Sequence, residues 1–320
     1  MKKTLTRTVL VAVLAVVALI GAACGDDTSN NAADQTTTTG DSGPPEFEAG
    51  TAMARIQEAG KLIVGTKFDQ PGFGLKNPTT GDVEGFDVEI AKRIGEAIFG
   101  AGGDEKVEFV EAVSAVRESV IADGKVDIVA ATYTINDTRR QVVDFAGPYF
   151  VAEQDIMVRA DNTTIKSVND LNGKKVCTAQ GSTSLKNLQA KAPRADLSIT
   201  FKTYSECEQA LGDGRVEAVS TDNTILAGLV DKSAGKYKLL KAPFSEEPYG
   251  IGLKKGDDEF RTFLNDTLEE LFDNGEWADA FESTLGKIGL DTPEPPSVNR
   301  YTASAAGGSS TTSAGASGGP

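Results

Sequence analysis

Histidine is absent from all 320 residues. That excludes Ser-His-Asp and Cys-His nucleophilic catalysis and imidazole metal sites, so an enzyme would have to work with Asp, Glu, Lys or Tyr. Cysteine is nearly absent: Cys24, Cys177 and Cys207 are the three, with no CxxC spacing of a redox or zinc motif. Long apolar runs are missing as well. The longest, residues 9–23, falls short of the ~20 residues a membrane span requires. Positive charge is in deficit, with 32 Lys and Arg against 47 Asp and Glu and a net charge of −15. Such a surface repels phosphate and argues against a nucleic-acid partner; otherwise it serves solubility.

What is present begins with a basic start, Lys2, Lys3 and Arg7, followed by the short apolar run and then Gly21, Ala22, Ala23 and Cys24. This order reads as a secretory signal over residues 1–23, cleaved before a cysteine that carries a lipid. The alternative is an uncleaved anchor. Either way the bulk of the chain is expected outside the cytoplasm, tethered to the membrane, with Cys24 as the lipidation site. In that oxidising compartment the remaining pair, Cys177 and Cys207, is expected to form a disulfide. It would close a loop of about 30 residues, worth roughly 3–4 kcal/mol in the loop-entropy model.

Residues 24–52 are polar and low in complexity and read as a flexible stalk. Residues 292–320, rich in Pro and then in Ser, Thr, Ala and Gly, read as a disordered tail. Roughly 240 residues of globular composition lie between them, enough for two modest lobes. They contain an internal echo. Asp123-Gly124-Lys125-Val126-Asp127-Ile128-Val129 resembles Asp213-Gly214-Arg215-Val216-Glu217-Ala218-Val219, each copy ending a helical stripe and starting an apolar strand. Gly60-Lys61-Leu62-Ile63-Val64 and Gly173-Lys174-Lys175-Val176-Cys177 form a second pair. Two α/β lobes of similar plan are expected. Ligands in such sheets gather beyond the carboxyl ends of strands, which here means residues 66–73, 132–139, 177–183 and 221–222.

Gly85-Phe86-Asp87-Val88-Glu89-Ile90 opens an amphipathic helix, with Asp87 placed to cap it and Phe86, Ile90, Ile94 and Ile98 forming one buried stripe. Thr132-Tyr133-Thr134-Ile135-Asn136-Asp137-Thr138-Arg139, Val143-Asp144-Phe145-Ala146-Gly147-Pro148-Tyr149-Phe150 and Gln180-Gly181-Ser182-Thr183 follow in order. Together they resemble the family 3 extracellular solute-binding proteins, the substrate receptors of polar-amino-acid ABC importers, over about residues 55–290. The signal with Cys24 and the positions of Cys177 and Cys207 look most like the glutamate-binding lipoproteins of Gram-positive bacteria.

The resemblance implies a two-lobed, type II periplasmic-binding-protein-like α/β fold. Lobe one would hold residues 55–151 and 247–291, lobe two 153–245, with crossings near 151–154 and 247–249. It further implies that Arg139 holds a ligand α-carboxylate and Asp222 its α-ammonium, the two lobes closing because neither satisfies both charges alone. Thr132 and Thr134 would add polar contacts, and Ser182 and Thr183 would open a helix whose N–H groups favour an anion. For each of these threonines an N-cap or strand role is the alternative; for Arg139 it is a surface pair with Asp137 or Asp144.

Gln70 stands where relatives often place an aromatic ring, with Phe68 and Phe73 nearby, and Lys67 suits a side-chain carboxylate. Arg140 is expected to face solvent, and Trp277 with Phe281 to be core. The implied function is a monomeric, lipid-anchored, non-enzymatic receptor that needs no cofactor or metal. It would bind glutamate first, then aspartate, glutamine or asparagine, and deliver it to an ABC permease. The rivals are a secreted cyclohexadienyl dehydratase-like enzyme and a ligand sensor feeding a signalling partner.

Overall fold

Leu62, Val64, Ile128 and Val129 are fully buried β-formers, and around them the first sheet assembles. The computed structural model describes residues 43–301; the signal segment and Cys24 lie outside the described residues.

The chain enters through α1 (Ala52–Ala59), β1 (Leu62–Thr66), a small antiparallel sheet of β2 (Asp69–Gln70), β3 (Gly74–Lys76) and β4 (Val83–Glu84), and α2 (Phe86–Phe99). It continues through β5 (Val107–Glu111), α3 (Arg117–Ala122), β6 (Ile128–Val129), α4 (Asp137–Arg140) and the long β7 (Val143–Arg159). The middle of the sequence supplies β8 (Val176–Ala179), α5 (Thr183–Lys191), β9 (Thr200–Phe201), α6 (Tyr204–Gly212), β10 (Ala218–Asp222), α7 (Asn223–Lys232) and β11 (Tyr237–Leu239). It returns through β12 (Glu246–Lys254) and closes with α8 (Asp258–Asn274) and α9 (Glu276–Thr284).

Both lobes share one plan. In the first, β1 lies between its parallel neighbours β5 and β6; in the second, β8 lies between β9 and β10, also parallel. The echoed motif does the same work in each. Asp127 donates its N–H to the Ile63 carbonyl (2.8 Å) and accepts the Ile63 N–H on its carboxylate (2.9 Å). Glu217 repeats the exchange with Lys175 (2.8 and 3.1 Å). Gly124 and Gly214 follow the helix ends with φ of 65° and 73°, the left-handed turn that glycine adopts without a Cβ penalty.

Two strands join the lobes. β7 pairs with β12 through its first part and with β10 through its last, and β12 meets β7 at Glu247↔Ala152, Pro248↔Val151 and Tyr249↔Phe150. Lobe one is built on the sheet of β1, β5 and β6 with the parts of β7 and β12 that pair with it, and lobe two on the sheet of β8, β9 and β10 with the end of β7.

The stripe Phe86, Ile90, Ile94 and Ile98 is fully buried, each side chain contributing roughly 1.5–3 kcal/mol of transfer free energy. Phe86 meets Phe73, Phe150, Trp277 and Phe281 at centroid distances of 5.7–6.2 Å, and Trp277 Nε1–H donates to the Tyr149 carbonyl (2.8 Å). Trp277 and Phe281 are core.

Composition misjudges both borders of the globular part. The stalk read as residues 24–52 already docks at Phe47, edge-on to Phe263 at 5.4 Å, and Thr51 caps α1. The tail read as disordered from 292 is laid along lobe one as far as Tyr301. The Asn299 N–H donates to the Gly147 carbonyl (2.9 Å), and Arg300 pairs with Asp266 and Glu269. The Tyr301 ring lies under the guanidiniums of Arg140 (4.0 Å) and Arg261 (4.4 Å), with its hydroxyl on Asp144 and the Phe145 N–H. A few anchor residues in a weakly patterned segment suffice, and Arg140, expected in solvent, is one of the groups they use.

Candidate functional site

The four strand ends selected from the sequence converge between the lobes. From lobe one come Lys67 and Gln70 after β1, Thr132 to Thr134 after β6, and Arg139 on α4; from lobe two come Ser182 and Thr183 after β8, and Asp222 ending β10.

Thr132 has φ of 45°, a left-handed conformation that is strained for a β-branched residue and is kept only when neighbours impose it. The Asp87 carboxylate accepts its N–H (2.8 Å), the Arg117 guanidinium donates to the carbonyls of Ala131 (2.8 Å) and Thr132 (3.2 Å), and the Thr132 hydroxyl is 3.0 Å from Gln70 Oε1. Asp87 therefore does not cap α2, where Gly85 is the N-cap. Its second oxygen accepts the Tyr149 hydroxyl (2.5 Å), and burial pushes its carboxyl up to about 7.

Arg139 is 6% exposed. Its Nε meets Glu118 at 3.0 Å, Nη1 donates to the Thr134 carbonyl (2.6 Å) and Nη2 reaches the Gly181 carbonyl of lobe two (3.3 Å). It pairs with neither Asp137 nor Asp144. Thr134 and Thr183 hydroxyls lie 3.4 Å apart across the lobes, and a cavity of about 280 Å³ adjoins Arg139, Gly181 and Thr183. Ser182, expected among the ligand groups, has its hydroxyl committed to capping α5: it donates to the Ala179 carbonyl (2.7 Å) and accepts the Leu185 N–H (3.1 Å).

Asp222 occupies the N-cap position of α7, yet its side chain makes no capping bond. It accepts the Tyr249 hydroxyl (2.5 Å), and its other oxygen, Oδ1, is buried without a partner. Burial first, then the nearby Glu247 charge, push its carboxyl up to about 7. Lys67 is 2% exposed, and its ammonium donates to Ser114 Oγ (2.8 Å). Burial, then Arg117 and Arg139, pull it down to about 7. Gln70 is fully buried with its Nε2 unpartnered. Of the nearby aromatics, Phe73 is core, and Phe68 lies under the Lys76 ammonium (5.0 Å).

Sequence reasoning missed Arg117. It is 2% exposed, lies 4.3 Å over the Tyr133 ring, keeps a buried unpartnered Nε, and is pulled down to about 10 by burial and by Arg139. An arginine on the helical stripe with Val113, Val116 and Val120 was the available signal, since a cation at an apolar position is unusual unless it is paired. Tyr204, buried with its hydroxyl 3.3 Å from Ser184 Oγ, was missed too.

Lys67, Arg117 and Arg139 thus crowd one buried cleft. They face Asp87 and Asp222, whose carboxyls burial raises; Glu118, paired to Arg139; and Asp69, which acts on Lys67 and accepts the Tyr204 N–H. That is an arrangement for holding a small dipolar anion.

The family model of the bacterial extracellular solute-binding proteins, family 3, matches residues 62–287. The chain is 37% identical over 277 residues to an ABC transporter glutamine-binding protein, GlnH, of Bacillus subtilis, covering 86% of this chain and 95% of that one. It is 36% identical over 297 residues to the glutamate-binding protein GluB of Corynebacterium glutamicum, covering 89% and 92%. Among solved structures, an ancestral arginine-binding protein bound to glutamine is 38% identical with a TM-score of 0.66, over 71% of this chain and 98% of that one. With these motifs, this two-lobed fold and these matches, the chain belongs to family 3 of the bacterial extracellular solute-binding proteins.

Proposed function

We propose that this chain is a lipid-anchored receptor for an acidic amino acid, glutamate before aspartate, which delivers its ligand to an ABC permease. Arg139 holds the α-carboxylate with Thr134 and Thr183 beside it, and Asp222 takes the α-ammonium on its free Oδ1. Lys67 and Arg117 receive the side-chain carboxylate.

The observation that carries this reading is the surplus of buried cations. Lys67 is brought down to about 7 by burial first and then by Arg117 and Arg139, with Asp69 and Asp87 only partly opposing them, and a second ligand carboxylate favours its charged form. Glutamine offers only an amide there and adds no charge to that of Asp69 and Asp87. The ligand bridges lobe one at Arg139 and lobe two at Asp222, so binding favours the closed form. Support for the anchor comes from Cys24 behind its small-residue signal. Exchange of Cys24 for alanine is expected to release the protein into the medium.

The test is calorimetric titration of the soluble chain from residue 25 with glutamate, aspartate, glutamine and asparagine. Glutamate is expected to bind most tightly, with a dissociation constant in the micromolar range or below, about −8 kcal/mol or better. Arg117→Gln is expected to move preference toward glutamine by roughly tenfold or more. Preference for glutamine by the unaltered protein would overturn the assignment of Lys67 and Arg117.

A further inference from the structure

Asp69 and Gln70 are adjacent on β2 and point to opposite sides, as strand residues do. Gln70 turns into the site. The Asp69 carboxylate crosses to lobe two, where its Oδ2 accepts the N–H of Tyr204 (2.9 Å) and of Ser205 (3.4 Å), the first two residues of α6.

A helix start carries unsatisfied N–H groups and a positive dipole end. In α6 a local capping box already serves the third residue: the Thr203 hydroxyl accepts the Glu206 N–H (3.4 Å), and Glu206 returns to the Thr203 N–H (3.1 Å). The two amides that the box leaves over are the two that Asp69 takes. Their acceptor comes from the other lobe, so these bonds exist only while the lobes are together. The receiving end is held firmly, because Cys207 in the first turn of α6 is bonded to Cys177 on β8, the strand that leads into Gly181 and Thr183.

We infer that Asp69 is a positioning residue for closure, a carboxylate latch from lobe one that caps α6 of lobe two and slows ligand release without touching the ligand. The dissociation measurement rests on the receptor reading above; the inter-lobe capping contact, read by amide exchange, does not. The contact forms late, on closing, so its loss acts on dissociation.

The experiment uses the soluble chain from residue 25 and its Asp69→Asn variant. Glutamate dissociation, followed by stopped flow, is expected to quicken roughly 5- to 30-fold, the range for an anion at a helix start in a partly buried setting. Association should change by less than about threefold, and the ligand-free melting temperature by less than about 1 °C. Amide exchange supplies a readout that needs no ligand when the lobes are held together by a disulfide from Thr134→Cys with Thr183→Cys, whose hydroxyls lie 3.4 Å apart across the cleft. The pair is introduced both into the otherwise unaltered chain and into Asp69→Asn. The Tyr204 and Ser205 amides are expected to lose protection in Asp69→Asn, while the Glu206 amide, held by Thr203, keeps its own. Equal exchange of all three amides in both proteins overturns the latch, as does an unchanged dissociation rate. If the unaltered protein binds no amino acid, the receptor reading fails and the exchange pattern alone decides the latch.

Discussion

Lys67 and Asp222 both sit near 7, one brought down and the other brought up, and this makes ligand binding a proton-coupled event. The lysine is lowered by burial, then by Arg117 and Arg139; the aspartate is raised by burial, then by Glu247. A ligand carboxylate beside Lys67 restores the lysine toward its ordinary value, ~10.4, and a ligand ammonium beside Asp222 returns the aspartate toward ~4. The signs then follow. Above pH 7 the lysine is neutral in the free protein and charged in the complex, so binding takes up a proton. Below pH 7 the aspartate is protonated in the free protein and ionised in the complex, so binding releases one. With both midpoints at about 7, net uptake is about 0.8 proton per ligand at pH 8, near zero at pH 7, and a release of about 0.8 at pH 6.

Affinity therefore peaks near pH 7 and is about 25-fold weaker by pH 9. Asp87, also at about 7 and beside Lys67, is drawn down when the lysine becomes charged, which adds to the proton release below pH 7. The assay is calorimetry of glutamate binding at pH 6 and pH 8, each in buffers of different ionisation enthalpy. Proton exchange of one sign at both pH values, or heats independent of buffer, would refute the assignment of these two residues.

Gly181→Ala is expected to weaken ligand binding roughly tenfold or more with little change in ligand-free melting. Its φ is 73°, and an added Cβ would stand 2.6 Å from Ala115 Cα across the cleft, so closure meets a clash; unchanged affinity by calorimetry would count against the closed arrangement. Replacing Cys177 and Cys207 together by serine is expected to lower stability by about 3–4 kcal/mol, a melting shift of about 6–16 °C by calorimetry. Tyr301→Ala removes the ring between Arg140 and Arg261 and is expected to cost about 1–3 kcal/mol in urea unfolding. Because Tyr301 lies on lobe one outside the cleft, its loss should leave ligand affinity unchanged.

The sequence alone determined what is local. The Phe86 stripe has helical spacing, the Asp-Gly turns close helices before strands, and the repeated motif marks two lobes of one plan. Cys177 and Cys207, left over after Cys24, were legible as a pair, and the disulfide joins them. The cleft itself was legible because strand ends are set by turns, and turns are written in short runs.

Tertiary structure decided what depends on which surfaces meet. Arg117 reads as a helix residue until β6 places carbonyls within its reach. Asp87 reads as a cap until Tyr149, far along the chain, supplies a better partner. Ser182 reads as a ligand group until the Leu185 N–H claims it. Asp69 and Tyr204 belong to different lobes, and only the hinge strands bring them together. Residues 292–301 read as tail because a few anchors carry no periodicity. Except at Ser182, whose partners Ala179 and Leu185 are three residues away, the deciding partner is distant in sequence, and a buried polar group takes the partner that satisfies it, wherever the chain supplies one.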